Sequence, residues 1–280
     1  MSQNLNSAWR KTAATIYKKP TDSKIFGSVE IDITDLEKYI AEKRKAGVKA
    51  TITHIITLAT ARAIKYDAPA LNTYVKRGNI VSHEQIDATV SVLLEGGVMG
   101  SVKVPAADTL TLQEAIDLMR NEIAKTRKGD ENKSMKLKYF LSSIPWPFRN
   151  WVYKIMKYII VDLGISLPFV SANTFGSFIV SNIGSVGLDI GYPALMPSAN
   201  IAFVLIIGGI DKKPWVVNDE IVVRKIMKLG IAMDHRLIDA SHGGILFRYI
   251  KKIIKNPELS PGARCGGRCS CRPWWRCRRR

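Results

Sequence analysis

The chain has 280 residues, of which 46% are hydrophobic and 8% are aromatic. This composition is typical of a globular protein with one large domain or two small ones, and it excludes a disordered or fibrous chain. The formal net charge is +18, but seven arginines follow Glu258, the last acidic residue. The remaining 35 basic and 24 acidic residues still favour an anionic partner, such as a phosphate-bearing cofactor or an acidic membrane surface.

The two ends of the chain bear on where the protein is located and on whether it binds metal or nucleic acid. The first 19 residues lack the apolar run of a secretory signal, so we expect a cytoplasmic protein. All four cysteines lie after Arg264, in a C-x3-C-x-C-x5-C spacing that fits no common zinc site. We therefore expect no metal and treat 259–280 as a disordered or non-native tail. Nucleic-acid binding ranks last, because much of the positive charge lies in this tail.

The first third predicts a strand followed by two helices. Alternating residues over 25–33 indicate a strand, and Thr34 with Glu37 has the pattern of a capping box that opens a helix. A second helix is predicted from Thr53 to Tyr66, and Pro69 stops it. His54 in its first turn is expected to be structural.

The next segment predicts two strands and a third helix. One strand is expected around 87–94 and another after Gly97, with His83 in the preceding loop as a structural or surface residue. Thr111 with Glu114 predicts a second capping box. The apolar stripe of the helix that follows is Leu112, Ala115, Ile116, Met119 and Ile123.

Residues 130–171 begin irregularly and then contain an amphipathic helix over 148–163. Charges at 154, 157 and 162 argue against a membrane span. The helix has three possible roles: packing on its own domain or on a neighbouring subunit, lying on a membrane surface, or lining a site for a long acyl chain. Its apolar face is Trp151, Val152, Ile155, Met156, Ile159, Ile160 and Leu163.

The last third returns to strands and ends in a helix. A strand is expected at 178–182, a buried strand over 200–210, and two further extended stretches over 220–235. A final helix is predicted after Asp239, ending near Asn256. Strands and helices alternate within one domain over 1–258, so the fold class is α/β or α+β.

Residues 232–244, AMDHRLIDASHGG, contain the candidate chemistry. Histidine is the usual general base of enzymes, and with Arg236 and Asp239 nearby His235 could be a positioned base. The alternative is a buried structural histidine. His242, at the start of the last helix, is expected to cap or pack.

The segment AMDHRLIDA makes the sequence resemble the catalytic core of the dihydrolipoamide acyltransferases of 2-oxo acid dehydrogenase complexes. The sequence resembles chloramphenicol acetyltransferase more distantly. Asp234, His235, Arg236 and Asp239 match the Asp-His-Arg-x-x-Asp-Gly signature, and Ala240 replaces its glycine. Three further segments match in order, namely SAWRKTAATIY, APALN and FIVSNIGSVG. The similarity covers roughly residues 8–130 and 172–258.

The resemblance implies a two-layer sandwich of mixed sheet and helices that assembles as a trimer, with active sites between subunits. It also implies that a coenzyme A thioester meets an acceptor there, a lipoyl thiol in one family and a hydroxyl in the other. We expect any lipoyl group to be supplied by another protein. A non-catalytic oligomeric or membrane-associated scaffold is the alternative function.

The resemblance assigns roles to individual residues. His235 is the general base, and Ser181 is the hydroxyl that stabilises the oxyanion, from a neighbouring subunit. Asp239 is expected to hold the turn, paired with Arg10, rather than to act directly on His235 as a dyad. Ser181 as a plain strand-end serine and Arg10 as a solvated residue are the alternatives. Asn182 and Arg236 are expected to support the site.

Three departures from the family pattern are visible. The 130–171 segment is longer than the short polar connection that is usual there. Met196 stands where asparagine is usual in a segment near the active site, which puts the acceptor in question. Ala240 replaces a glycine, which a helix start tolerates if φ is negative.

Overall fold

The computed structural model describes residues 23–93, 99–127, 141–145, 147–166 and 173–257. Six strands form one sheet in the order β1-β8-β7-β6-β4-β5, and β2 and β3 form a separate hairpin. The strands are Lys24–Asp32 (β1), Thr73–Lys76 (β2), Asn79–Ser82 (β3), Ala88–Leu93 (β4), Met99–Val104 (β5), Phe178–Asn182 (β6), Phe203–Val217 (β7) and Glu220–Asp234 (β8). The helices are Thr34–Lys45 (α1), Ile52–Tyr66 (α2), Leu112–Arg127 (α3), Phe148–Lys157 (α4) and Ala240–Lys255 (α5).

The sheet is mixed, as the fold class requires. β6 pairs in parallel with both β4 and β7, whereas the other pairs are antiparallel. This mixture, with helices covering one face, confirms the expected two-layer arrangement of sheet and helices.

The main core lies between the sheet and the helices. Phe178 and Phe203 stack with ring centroids 5.4 Å apart and are fully buried beneath the helices. The helices add the apolar stripes that their sequences present every three to four residues. The fully buried large residues of these helices include Leu36 of α1, Ile55, Ile56, Leu58 and Ile64 of α2, and Leu246 and Ile250 of α5.

The opposite face of the sheet carries a smaller apolar cluster. Val204 and Ile206 of β7 pack there with Ala199 and Ile201. Ile179 of β6 joins them. The loop between β6 and β7 therefore covers part of this face. Along each strand every second side chain points into the main core, and the side chains between them point toward this loop.

Two local expectations are wrong. Thr34 does not form a capping box with Glu37; the Asp32 carboxylate instead accepts from the Thr34 amide at 2.9 Å and from its hydroxyl at 2.6 Å. The two extended stretches expected over 220–235 are one continuous strand, β8. It remains unbroken because it pairs with β7 and β1 along its length.

The second capping box is confirmed at the start of α3. The Thr111 amide donates to Glu114 Oε2 at 2.7 Å, and the Glu114 amide donates to Thr111 Oγ1 at 3.3 Å. Four of the five stripe residues of this helix are buried, and Ile123 is half-buried.

The amphipathic helix of the 130–171 segment divides its apolar face. A π-helical turn, Tyr158–Asp162, follows α4 and buries Ile160 and Val161. A π turn contains more residues than an α turn, so it rotates the later side chains away from the earlier stripe. Four large residues stay more than half exposed: Phe148, Trp151, Ile155 and Tyr158. The predicted helix over 148–163 therefore ends as an α-helix at Lys157, and its apolar residues are partly exposed and partly buried in this chain.

Within the described ranges, no helix combines the length and apolarity needed to span a bilayer.

Candidate active site

The turn after β8 is built on Asp234. Its carboxylate binds Arg236 through Nε at 3.0 Å and Nη2 at 2.6 Å, and accepts from the Arg236 amide and from Ser23 Oγ. Burial disfavours the charged carboxylate, but these hydrogen bonds and the guanidinium charge outweigh it and lower the pKa of Asp234. The ionised Asp234 thus fixes the backbone on which the next residue, His235, is carried.

His235 presents one ring nitrogen to the protein. Its Nδ1 lies 3.1 Å from the carbonyl oxygen of Ile238. A carbonyl oxygen can only accept, so Nδ1 carries the proton in this contact and Nε2 keeps the lone pair that a base requires. The side chain is 51% exposed, so a substrate can reach it.

Asp239 lies closer to His235 than expected. Its Oδ1 is 3.3 Å from His235 Nδ1, because the turn folds back through hydrogen bonds from the Leu237 and Ile238 amides to the Asp234 carbonyl. The two side chains are therefore in contact within one chain, and the expectation that Asp239 holds the turn rather than forming a dyad with His235 stays a prediction. The Asp239 amide donates to His242 Nδ1 at 3.1 Å, which confirms His242 as a residue that caps α5.

Ser181 and Asn182 end β6 on opposite faces. Alternation along the strand places Ser181 with Ile179, on the face that the β6–β7 loop covers. Within the described residues its hydroxyl has no hydrogen-bond partner and is partly exposed. Asn182 points to the helices, where its Nδ2 donates to Thr53 Oγ1 at 3.2 Å, and its Oδ1 accepts from the Ser185 amide. Asn182 therefore fixes the strand end that presents Ser181.

One chain does not bring Ser181 to His235. Ser181 is level with Ile206 of β7, which pairs with Gly230 of β8, five positions before His235. By strand geometry the separation is roughly 16 Å along the strands and roughly 10 Å across them. Within one chain the two side chains are therefore too far apart to contact the same reacting group.

A pocket of about 290 Å³ adjoins the turn, and we call it the turn pocket. Asp234 and Arg236 form one wall, and Lys157 and Asp162 from the 130–171 segment form another. Ser23, Lys24 and Asn200 complete its polar lining. The apolar lining is Val75, Val161, Leu195, Met196, Pro197 and Ile201.

A larger and more open pocket of about 710 Å³ lies between α1 and the start of α2. Its polar lining includes Thr53, Asn182 and the exposed Arg44 and Lys45, together with Glu37, whose carboxylate is paired with Lys225. The two exposed cations suit a ligand that carries phosphate.

The remaining histidines are structural, as expected. His54 caps α2, with its Nδ1 2.7 Å from Thr51 Oγ1. Burial, together with a smaller effect of the Arg120 charge, lowers the pKa of His54 to about 4. In the chain segments that are described, no group of three or more His, Cys, Asp or Glu side chains gathers into a metal site.

Sequence reasoning missed two supporting residues, Ser23 and Thr53. Ser23 binds Asp234 from 211 positions away, and Thr53 binds Asn182 from 129 positions away. No spacing in the sequence signals such contacts. Arg10, the expected partner of Asp239, and the tail 259–280 lie outside the described residues.

The fold and the turn together define an α/β sandwich with an imidazole presented at the end of a central strand. The family model for the 2-oxoacid dehydrogenases acyltransferase catalytic domain matches residues 2–135 and 172–260. The chain therefore belongs to this family. The internal residues that the model leaves unmatched, 136–171, fall within the longer 130–171 segment.

Curated relatives support the same placement. The acetyltransferase component of the Acholeplasma laidlawii pyruvate dehydrogenase complex is 41% identical over 87 residues, which are 31% of this chain and 15% of that protein. The corresponding component from Mycoplasma capricolum is 24% identical over 265 residues, covering 91% of this chain and 50% of that protein. The chain thus spans about half the length, or less, of these relatives.

Solved structures show the same fold. A probable dihydrolipoamide acetyltransferase from Listeria monocytogenes superposes with a TM-score of 0.62 at 20% identity, covering 93% of this chain and 95% of that one. The dihydrolipoamide acetyltransferase of Azotobacter vinelandii also gives 0.62, at 16% identity, with 85% and 84% covered.

Proposed function

We propose that the protein is an acyl-CoA-dependent acyltransferase that moves an acyl group between coenzyme A and a thiol acceptor of the lipoyl type or a hydroxyl acceptor. The observation that carries this proposal is the state of His235. Its Nδ1 is held by the Ile238 carbonyl, its Nε2 is left as a base, and the Asp239 carboxylate lies 3.3 Å from Nδ1.

The reaction follows from these positions. Nε2 of His235 removes the acceptor proton as the sulfur or oxygen attacks the thioester carbonyl. Negative charge collects on the carbonyl oxygen, where the Ser181 hydroxyl of a neighbouring subunit donates a hydrogen bond. The intermediate collapses by breaking the bond to the CoA sulfur, which leaves as a thiolate and takes the proton from the imidazolium. Asp239 lowers the energy of the charged ring between these two proton transfers.

A relative supports the choice of residues. In the Azotobacter vinelandii enzyme, a serine, a histidine and an asparagine were investigated for their roles in catalysis. There the serine precedes the histidine by 52 positions and the asparagine follows it by four. Here Ser181 precedes His235 by 54 positions and Asp239 follows by four.

We propose a homotrimer, or a larger assembly of trimers, because Ser181 and His235 lie on separate parts of one chain. A structural neighbour at 17% identity is the cubic core of a pyruvate dehydrogenase multienzyme complex. The proposed partner of the site is a domain that carries a lipoyl group. Coenzyme A enters as a substrate, and the exposed cations Arg44 and Lys45 suit its phosphates.

A second proposed contact is a membrane surface, with the protein cytoplasmic and peripheral. The observation in favour is the exposed apolar stripe of α4, Phe148, Trp151, Ile155 and Tyr158, beside the exposed Lys154. Co-sedimentation with vesicles containing anionic lipid tests it. Trp151→Glu should abolish sedimentation; equal sedimentation of the variant and the unchanged protein would remove the membrane role.

The experiment for the main proposal is a screen of acyl-CoA donors against dihydrolipoamide and hydroxyl acceptors, with free CoA as the readout. Release that depends on the acceptor supports the acyltransferase. Trimeric protein that binds no CoA and releases none would favour the scaffold, which needs neither His235 nor Ser181.

A further inference from the structure

The hairpin of β7 and β8 extends beyond the rest of the sheet. β6 stops pairing with β7 at Ile207, and β1 stops pairing with β8 at Ile226. Among the described residues, the two strands beyond these points pair only with each other, over 212–225, and we call this range the arm. Six residues of an antiparallel strand span roughly 20 Å, so the arm projects well past the other strands.

One face of the arm is apolar and exposed. Val216 pairs with Ile221 and Pro214 pairs with Val223, so these four side chains adjoin on the same face. The exposed fractions are 65% for Val216, 77% for Ile221 and 73% for Val223. Soluble chains seldom leave adjoining aliphatic side chains in water, so this face has the character of an interaction surface.

The apolar face of the arm continues the core face of the sheet. By alternation along β8, Ile221 and Val223 lie on the same face as Met227 and Leu229, which are fully buried in the main core. The sequence therefore carries the pattern of a buried face out to the arm. An isolated two-stranded hairpin is at best marginally stable in water, so a partner that covers this face would stabilise the arm.

The charges of the arm favour a protein partner over a membrane. Its apex holds the carboxylates of Asp219 and Glu220, next to the apolar face, and neither forms an ion pair within the described residues. Anionic lipid headgroups would repel both of them. Three cations of the arm already have partners in the chain: Lys213 with Glu30, Arg224 with Asp32 and Lys225 with Glu37.

The position of Ser181 indicates which protein the partner is. Ser181 pairs with Ile206 of β7, just before the irregularity between Ile207 and Ile210 that precedes the arm. The arm therefore leaves the sheet at the Ser181 end and points away from His235 of its own chain, which follows the other end of β8. The proposed function brings Ser181 to His235 of a neighbouring subunit, so that subunit also lies on the side toward which the arm projects.

We infer that the apolar face of the arm packs on a second copy of this chain, the copy whose His235 acts with Ser181 of the first. This inference rests on the proposed function for the identity of that copy. The arm is then a positioning element: it joins the two subunits whose residues together form one active site.

The test is the mass of the assembly, measured on the full chain by sedimentation velocity over a series of dilutions. Ile221→Glu places a carboxylate on the apolar face, and we expect it to raise the dissociation constant of the assembly by at least about a hundredfold. The fold of each subunit should persist, because Ile221 is largely exposed, and circular dichroism checks this.

Two further variants separate the arm from a general effect of charge. Ile221→Val keeps the face apolar and should leave the dissociation constant unchanged. Ile80→Glu is the matched control, since Ile80 is 58% exposed in the hairpin of β2 and β3, and it should leave the assembly unchanged as well. Equal dissociation of the Ile80 and Ile221 variants would overturn the inference.

CoA release, measured over the same dilutions, identifies the interface. We expect Ile221→Glu to lose activity and assembly together, because dissociation separates Ser181 from His235. Dissociation into smaller assemblies that keep full activity would place the arm between active units and overturn the inference. An unchanged mass would also overturn it; if Ile221→Glu then no longer sedimented with vesicles, the partner of the arm would be a membrane.

The inference and the proposed function fail separately. If Ile221→Glu dissociates but the unchanged protein releases no CoA from any donor, the proposed function fails and the contact of the arm with a second copy stands. If the unchanged protein releases CoA and Ile221→Glu keeps both its mass and its activity, the arm contact fails and the proposed function stands.

Discussion

His235 and His83 occupy opposite environments in one chain. His235 lies in a turn, half exposed, with Nδ1 near a carbonyl and 3.3 Å from the Asp239 carboxylate. His83 is 7% exposed, and its ring lies 4.5 Å from that of Tyr74. The pKa of His83 is lowered to about 4, mainly by burial. The Asp87 charge opposes this lowering and the Lys103 charge adds to it.

The difference identifies which histidine can act as a base. A base must become a cation during turnover, so its surroundings must tolerate that charge. Asp239 and solvent do so at His235, whereas desolvation at His83 opposes it. Each histidine has a carboxylate nearby, so exposure to solvent is what distinguishes the candidate catalytic site from the structural one.

The largest expected effect is on His235→Ala. Loss of the general base should lower kcat by about a thousandfold, within the usual range for such groups. The melting temperature should stay near that of the unchanged protein, because the side chain is half exposed. Turnover within about tenfold of normal would show that the comparison selects the wrong histidine.

Ser181→Ala should lower kcat about a hundredfold with little change in KM, since an oxyanion donor acts mainly in the transition state. The steady-state rate of CoA release measures it. Ser185→Ala is the matched control: this serine is four residues further on and donates to the Asn182 carbonyl. A Ser181 variant that behaves like the Ser185 variant would make Ser181 a plain strand-end serine.

His83 should affect stability rather than turnover. Its pKa is about 4 in the folded protein and 6.5 as the ordinary value, so between these pH values the unfolded chain is protonated at His83 and the folded chain is not. The contribution of neutral His83 to the free energy of unfolding is fully present above pH 6.5 and decreases as the pH drops toward 4. The loss is about 2 kcal/mol at pH 5. Urea unfolding at pH 7 and pH 5 measures this loss.

His83→Leu should remove that share of the pH dependence and leave kcat unchanged. An unchanged difference between pH 7 and pH 5 would mean that His83 is not held neutral by burial.

The smallest effect is expected for Asp239→Asn. The pair with His235 is exposed on both sides, so its loss should lower kcat about threefold or less, or ~0.6 kcal/mol. Asparagine is an equally good residue at a helix N-cap, so α5 should keep its stability. A fall as large as that of His235→Ala, in the same kinetic assay, would make Asp239 essential to the base.

Much of the fold is predictable because its signals are local. The Thr111 and Glu114 cap, the apolar stripe of α3 and the helix after Asp239 depend on residues three or four apart, and these predictions hold. The predicted capping box at Thr34 does not form, because Asp32, two residues earlier, accepts from the Thr34 amide that Glu37 would have bound. β8 is continuous because of pairing with distant strands, which no window of sequence contains.

The candidate site is only partly predictable, because local motifs identify some of its residues and the folding of the chain decides the other contacts. The motif points to His235, and the resemblance points to Ser181. The contact of His235 with Asp239 depends on how the turn folds. The π-helical turn after Lys157 contributes Val161 and Asp162 to the turn pocket, and it breaks the periodicity on which helix predictions rest.

The central claim is that His235 of one subunit acts with Ser181 of another. Subunits carrying His235→Ala and subunits carrying Ser181→Ala are unfolded, mixed in equal amounts and reassembled, and CoA release is measured. Random assembly should restore about a quarter of wild-type activity, because one interface in four then pairs an intact His235 with an intact Ser181. Activity no higher than the average of the two variants alone would contradict the account, since sites built within one chain cannot be repaired by mixing.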